Sequence, residues 1–303
     1  MIDITNNKVC VVVVTFNRLQ LLTKTISALK QQTYPIDTIL IVNNGSTDGT
    51  LEWLNQQTGV VTLTQDNVGG AGGFYTGMDW AIKKDYDWVW VMDDDVMPDA
   101  GCLESFSRYF SKYKAMCPLR VYHDTNEIMD APKEVNLNNP FKRMSYGIEK
   151  IYPGFKNLPD AIQVGDLTFE GGIFSTKLIR QIGLPRKEYF IFCDDVEYSL
   201  RITNKAKENI YLITSAVLYR LLPKATGEYP LWKEYYFYRN TSTLYQLYAT
   251  NRLMVVFPLL KGIIRSVKSV LKMDFKRAKV IVNGTIDSYR KRFYNRYYPY
   301  SKF

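Results

Sequence analysis

Four short apolar runs punctuate the first hundred residues, and stretches of helical period or turn formers separate them. Lys8–Thr15 (Lys-Val-Cys-Val-Val-Val-Val-Thr) is β-branched without in-and-out alternation, as expected of a strand covered on both faces of a parallel sheet. Leu21, Leu22, Thr25, Ile26 and Leu29 then share one helical face, and Tyr34-Pro35 ends that helix. Thr38–Val42 is a second strand, and the turn formers Asn43-Asn-Gly-Ser-Thr-Asp48-Gly-Thr50 lead into a helix over 51–56. Val60–Thr64 is a third strand; after Asn67-Val-Gly69-Gly70-Ala-Gly72-Gly73 comes a helix ending near Lys84, then the apolar run Trp88-Val-Trp-Val-Met92. Such alternation predicts a parallel sheet with right-handed crossovers. Ligands of such sheets sit beyond the carboxyl ends of the strands, so the loops 15–18, 43–48, 67–73 and 93–95 should share one site.

The fourth run ends in three consecutive carboxylates, Asp93, Asp94 and Asp95. Like charges this close need positive charge between them, and a hard divalent cation such as Mg²⁺ binds through one or two carboxylates plus substrate phosphates. The competing reading is a solvated turn with Asp99 capping a helix. The other loops suit a nucleotide: Thr15 and the side-chain amides can read a base or ribose, the glycines allow close backbone approach, and Arg18 can pair with phosphate. Those glycines follow the third strand rather than the first and do not run into Gly-Lys-Ser/Thr, which weakens dinucleotide-fold and P-loop readings. Close helix-to-sheet packing is their alternative role.

From Ala115 to Thr168 the polarity is mixed, and long loops near the site are expected, with the sole histidine, His123, outside the chemistry. Ser175 is placed to cap a helix over 177–182 that Gly183-Leu-Pro185 closes. Tyr189–Cys193 reads as a strand delivering Asp194, Asp195 and Glu197 to a helix start, where they serve as cap and dipole partners, as functional carboxylates, or as both. The four cysteines form no Cys-x-x-Cys pair, which argues against zinc and a disulfide framework and fits a reducing cytosolic setting. The sequence shows neither a signal-peptide pattern nor about eighteen consecutive uncharged apolar residues.

Taken together the motifs resemble the inverting glycosyltransferases of family 2: Thr15-Phe-Asn-Arg18, Asn43–Thr50, the Asp-x-Asp within Asp93–Asp95, and Asp194-Asp195. Asn67-Val-Gly-Gly-Ala-Gly-Gly-Phe, the triple Asp and Asp-Asp-Val-Glu-Tyr are similar to the galactofuranosyltransferase branch, with bacterial rhamnosyltransferases close to it. The resemblance implies an α/β GT-A fold (a nucleotide-diphospho-sugar transferase): a mostly parallel sheet sandwiched by helices, here over residues 1–220, with a helical C-terminal extension over 221–303. It further implies Asp195 as the base with Asp194 positioning it or binding acceptor. Thr15, Asn17, Arg18, Asn43, Asn44, Asn67, Gly69, Gly70, Gly73, Asp93 and Asp94 would bind the donor, and Asp93 and Asp95 would hold Mn²⁺ or Mg²⁺. Two departures stand out: Asn43 replaces the Asp of many relatives, and Ser215-Ala-Val-Leu-Tyr219-Arg220 lacks their metal-binding histidine. Water, Tyr219 or the charge of Arg220 would have to take its place.

Beyond Leu231 the chain turns aromatic (Trp232-Lys-Glu-Tyr-Tyr-Phe-Tyr-Arg239-Asn240) and then basic and amphipathic. Lys261, Arg265, Lys268 and Lys272 recur at helical spacing among Leu260, Ile263, Ile264, Val267, Val270 and Leu271, and the run Tyr289–Tyr298 is again basic. With a net charge of +9, this suggests an anionic membrane surface, subunit packing into a homo-oligomer being the alternative; no nucleic-acid motif accompanies it. The expectation is an enzyme peripheral on the cytoplasmic face of the plasma membrane. It would take a nucleotide-sugar donor, UDP-galactofuranose before dTDP-rhamnose, and a lipid-linked or oligosaccharide acceptor in bacterial surface polysaccharide synthesis. A nucleotidyltransferase and a non-catalytic membrane scaffold are the readings from other classes.

Overall fold

The computed structural model describes residues 7–141, 144–224, 226–293 and 296–298. Its first half is β1 (Val9–Thr15), α1 (Leu19–Lys30), β2 (Thr38–Asn43), α2 (Thr50–Leu54), β3 (Val61–Thr64), α3 (Gly69–Lys83), β4 (Trp88–Asp93), β5 (Val96–Pro98), α4 (Cys102–Ser107) and β6 (Ala115–Tyr122). There follow β7 (Pro132–Val135), β8 (Ser145–Gly147), β9 (Ala161–Val164), β10 (Ile173–Ser175), α5 (Thr176–Ile182), α6 (Asp194–Arg201) and β11 (Ile210–Arg220). Three helices close the described chain: α7 (Leu231–Tyr248), α8 (Arg252–Leu271) and α9 (Phe275–Tyr289).

The main sheet runs β3-β2-β1-β4-β10-β6-β11-β5, with β9 also on β11. All four strands of the alternating stretch pair in parallel, as their apolar runs predict. Beyond β4 the sheet is mixed, because β10 is antiparallel to both its neighbours while β6 and β11 are parallel. The continuous valines of β1 explain the layering. Cys10, Val12 and Val14 enter one core with Phe74 and Met78 of α3 and Leu178 and Ile179 of α5. Val9, Val11 and Val13 enter the other with Leu22 and Ile26 of α1 and Phe106 of α4. Each buried side chain of this size stabilises the fold by roughly 1.5–3 kcal/mol, so neither face of the strand tolerates a polar residue.

Three expectations change. The stretch 115–168 keeps the expected long loops but threads four strands between them: β6 lies inside the sheet and β9 on β11, while β7 and β8 form a separate hairpin. Pro118 and Arg120 disguise β6 as irregular. Pro118 donates no hydrogen bond, and the register of β11 slips between Ile213 and Val217 opposite it. The glycines 69–73 form the first turns of α3 rather than a loop before it. Finally, Tyr189–Cys193 is not a strand; positive φ at Phe190, Phe192 and Cys193 bends it through a tight path into α6. Ser175 does cap α5, its Oγ accepting from the Leu178 amide. No helix of the described residues is long and apolar enough to cross a membrane.

Candidate active site

At the carboxyl ends of β1, β2 and β4 lies a cleft of about 310 Å³. Thr15, Asn17, Arg18, Asn44, Asn67, Gly69, Gly70, Asp93 and Asp94 line it, together with Phe190, Ile191, Trp232 and Lys233. Its floor is a web between the loops. Thr15 Oγ1 donates to Asp94 Oδ2 at 2.7 Å, and Arg18 reaches Asp94 Oδ1 at 3.1 Å and Asp95 Oδ2 at 2.9 Å. Asn17, at φ 53°, accepts from the Thr47 amide, tying the first loop to the second. Asn44 donates to the Gly69 carbonyl and accepts from Gln65 Nε2, while the Gly69 amide donates to Asn67 Oδ1. Gly69 holds φ +78° against the Phe190 carbonyl, where no Cβ fits, whereas nothing crowds Gly70.

Two residues expected to line the cleft do not. Asn43 is fully buried; its Oδ1 accepts from the Ser46 amide and its Nδ2 has no hydrogen-bond partner among the described residues, so it shapes the turn from behind. Gly73 lies against Val14 and the Asn44 side chain, where its missing Cβ lets α3 pack close to β1.

Asp93 and Asp95 are joined by a third carboxylate that no motif indicated, Glu170, from the loop before β10. One oxygen of each lies within 4.8 Å of the others. Burial pushes the Asp93 carboxyl well above the usual carboxylate range, and Asp95 and Glu170 push it further. Asp95 is raised by burial against the pull of Arg18, and Asp94 is raised by burial to about 6 against Arg18 and Thr15. Asp95 Oδ1 is buried without a hydrogen-bond partner among the described residues. Crowded hard oxygens with one orphaned atom fit a divalent cation. Arg220 and Arg120 clamp Glu170 from either side at 2.8 and 2.7 Å.

Next to this cluster, α6 starts with Asp194 and Asp195 in its first turn, after Cys193 at φ 62°. Asp194 is buried and Asp195 half-buried. Burial raises Asp195 to about 6, with Arg120 opposing and Glu170 adding to the rise; Asp194 reaches about 8 through burial and the charge of Asp195. A buried third acid, Asp166, is likewise raised to about 8 by burial and Asp195. The path into α6 is held from outside the sheet. Arg239 donates to the carbonyls of Glu188 and Tyr189, and Asn240 Nδ2 to those of Tyr189, Ile191 and Phe192, each at 2.7–3.0 Å. Both residues are fully buried in α7, and their place in an aromatic run gave the only sequence signal. His123 is exposed at the end of β6, its ring 6.2 Å from that of Tyr219.

The sequence model for glycosyl transferase family 2 matches residues 10–182. Galactofuranosyltransferase GlfT1 of Mycolicibacterium smegmatis is 26% identical over 236 residues, covering 73% of this chain and 72% of that one. Galactofuranosyltransferase GlfT1 of Mycobacterium tuberculosis is 29% identical over 201 residues, and the match spans 63% of each chain, under two thirds of that relative. Among solved structures, S. aureus TarS 1–349 in complex with UDP-GlcNAc superposes with a TM-score of 0.59 at 14% identity, over 94% of this chain and 82% of that one. GalNAc-T7 with UDP, GalNAc and Mn²⁺ gives 0.58 at 13% identity, over 78% and 50%. At such identities these structures establish the GT-A fold alone.

Proposed function

This chain belongs to glycosyl transferase family 2 and is a glycosyltransferase, and on that premise we propose that it moves galactofuranose from UDP-galactofuranose, with inversion, onto a hydroxyl of a lipid-linked glycan. The observation that carries the reading is the convergence of four sheet loops on one cleft, with a carboxylate cluster at its floor and Asp195 beside that cluster. Uridine nucleotide and Mn²⁺ in the structural neighbours and the galactofuranosyl activity named for the relatives favour this donor over dTDP-rhamnose.

In this reading Asn17, Asn44 and Asn67 face the nucleoside. Gly70, where an added Cβ would meet no atom of the described residues within 4 Å, lets the donor approach the backbone of α3. Asp94 keeps Thr15 and Arg18 in place rather than touching donor. Mn²⁺ or Mg²⁺ held by Asp93, Asp95 and Glu170 would supply positive charge to the diphosphate. Asp195 accepts the acceptor hydroxyl proton as that oxygen bonds to the anomeric carbon, the bond from that carbon to the diphosphate breaks, and UDP departs with the electron pair. Burial and the charge of Glu170 sustain the basicity of Asp195, whose own charge helps to raise Asp194 and Asp166. The exposed apolar face of α8 lies against the inner leaflet of an anionic membrane, where a lipid-carried acceptor is met.

Isothermal titration with UDP and dTDP, with and without Mn²⁺, tests the donor site in the wild type and Asp95→Ala. Expected are Mn²⁺-enhanced binding of UDP over dTDP and a loss of about tenfold or more in the variant, the size of one charged contact. Binding of neither nucleotide by the wild type would sink the reading.

A further inference from the structure

Lys233 enters the cleft from a part of the chain that no donor-site motif touches, the first turn of α7. Its side chain is half-buried, and its ammonium stands 5.4 Å from the Trp232 ring centroid and 5.9 Å from that of Phe192. A lysine at a rim ordinarily turns its head to water or finds a carboxylate. Among the described residues this one has no salt bridge, while Arg18 is paired with Asp94 and Asp95, and Arg220 with Glu170. Of the nearby acids, Asp95 is paired with Arg18, and Asp93 lies in the cluster with Asp95 and Glu170. Burial, then Arg18 and Arg220, bring its pKa below the usual lysine value against the pull of Asp95 and Asp93, so the ammonium is held partly out of water beside two other cations. A lysine in the wall of a nucleotide-sized cleft, without an ion pair among the described residues while the two neighbouring arginines are engaged, is placed to meet an anionic group of the ligand.

We propose that Lys233 binds the diphosphate of the nucleotide sugar and neutralises charge on the departing nucleoside diphosphate, so that the C-terminal helices complete the donor site. The assignment rests on the nucleotide-sugar reading above. It gives a physical counterpart to the missing histidine after β11: positive charge arrives from α7 rather than through an additional metal ligand. Two aromatic faces fix the ammonium direction, and the anchoring of α7 by Arg239 and Asn240 fixes its origin.

The test uses the full chain with Mn²⁺ present and measures UDP and uridine binding for wild type, Lys233→Met and Lys233→Arg. Lys233→Met keeps the length and apolar contacts of the stem; Lys233→Gln replaces it if thermal unfolding shows that the Met variant does not fold. The expected result is UDP binding weakened by about 10- to 100-fold in Lys233→Met, the size of one charge-assisted hydrogen bond to phosphate, with uridine binding within about twofold and most UDP affinity regained in Lys233→Arg. Equal UDP binding by wild type and Lys233→Met overturns the assignment alone. A parallel loss for UDP and uridine also overturns it, because that marks collapse of the cleft. A wild-type chain that binds no UDP overturns the donor reading and this assignment together.

Discussion

Asp195 meets two opposed demands. As the proposed base it must be accessible to an acceptor and unprotonated to take a proton, yet burial lifts it from the ordinary 3.8 to about 6, with Arg120 pulling the other way. If the charged form of this acid is the active one, activity should be lost below about pH 6 and present above it. Initial rates of transfer between pH 5 and 8 should therefore climb through about 6 to a plateau. Asp195→Asn should lower kcat by about 10²–10⁴-fold, the contribution of a positioned base, and leave UDP binding within a few-fold. A flat profile, or an active Asn variant, would remove Asp195 from that role. At this scale the sequence disclosed what came in runs: three acids after an apolar strand, and two acids before a helical period. It concealed Glu170 and Lys233, since one acid before paired glycines and one lysine among aromatics look like ordinary surface chemistry until the fold brings Glu170 to the cluster and α7 brings Lys233 to the cleft.

Elements were legible where burial imposes a period. The unbroken valines of β1 are read correctly because both cores bury them, and the helical face of α1 because one core demands that spacing. The segment Tyr189–Cys193 is misread for an equally physical reason: its apolar residues serve packing against α7, while its backbone carbonyls are claimed by Arg239 and Asn240 instead of a neighbouring strand. Non-glycine residues at positive φ cost roughly 1–3 kcal/mol each, so Phe190, Phe192 and Cys193 keep that shape only while those donors hold it. Asn240→Ala leaves three carbonyls without their amide donor, and urea unfolding should show a loss of about 1–3 kcal/mol. Turnover should fall as well, because the same loop carries Ile191 into the cleft and runs straight into Asp194 and Asp195. An Asn240→Ala chain of unchanged stability and turnover would mean that the loop holds its path unaided.

For the molecule as a whole, the informative feature is that α8 is inside out. Its buried residues are Met254, Pro258, Gly262, Ser266 and Ser269, with Gly262 close against Thr285 of α9. Leu260, Ile263, Ile264, Val267, Val270 and Leu271 are exposed, Leu271 to 78%. Lys261, Lys268 and Lys272 are exposed as well, while Arg265, which the spacing groups with them, is paired with Glu228 at 2.7 Å and is not fully available to a surface. The basic run Tyr289–Tyr298 is partly outside the described residues, at 294 and 295, and Tyr297 accepts a hydrogen bond at its carbonyl from Tyr236, which turns that part back onto α7. A face of aliphatic side chains edged by lysines suits an anionic leaflet, whose attraction weakens as salt screens it. Deleting residues 253–303 is a poor test, since α9 packs on α7 and Tyr235 donates to Asp287, so the deletion would disturb the donor site too. Exposed substitutions avoid this. Ile264→Glu with Val267→Glu should fold and bind UDP as the wild type does, yet lose most of its co-sedimentation with phosphatidylglycerol vesicles, and wild-type binding should fall as salt rises from 0.05 to 0.5 M on the scale of the shrinking Debye length, from about 14 to about 4 Å. If the double variant sediments like wild type, α8 does not dock on lipid; if it instead converts a dimer to a monomer in light scattering while vesicle binding is unchanged, the apolar face belongs to a second copy of the chain.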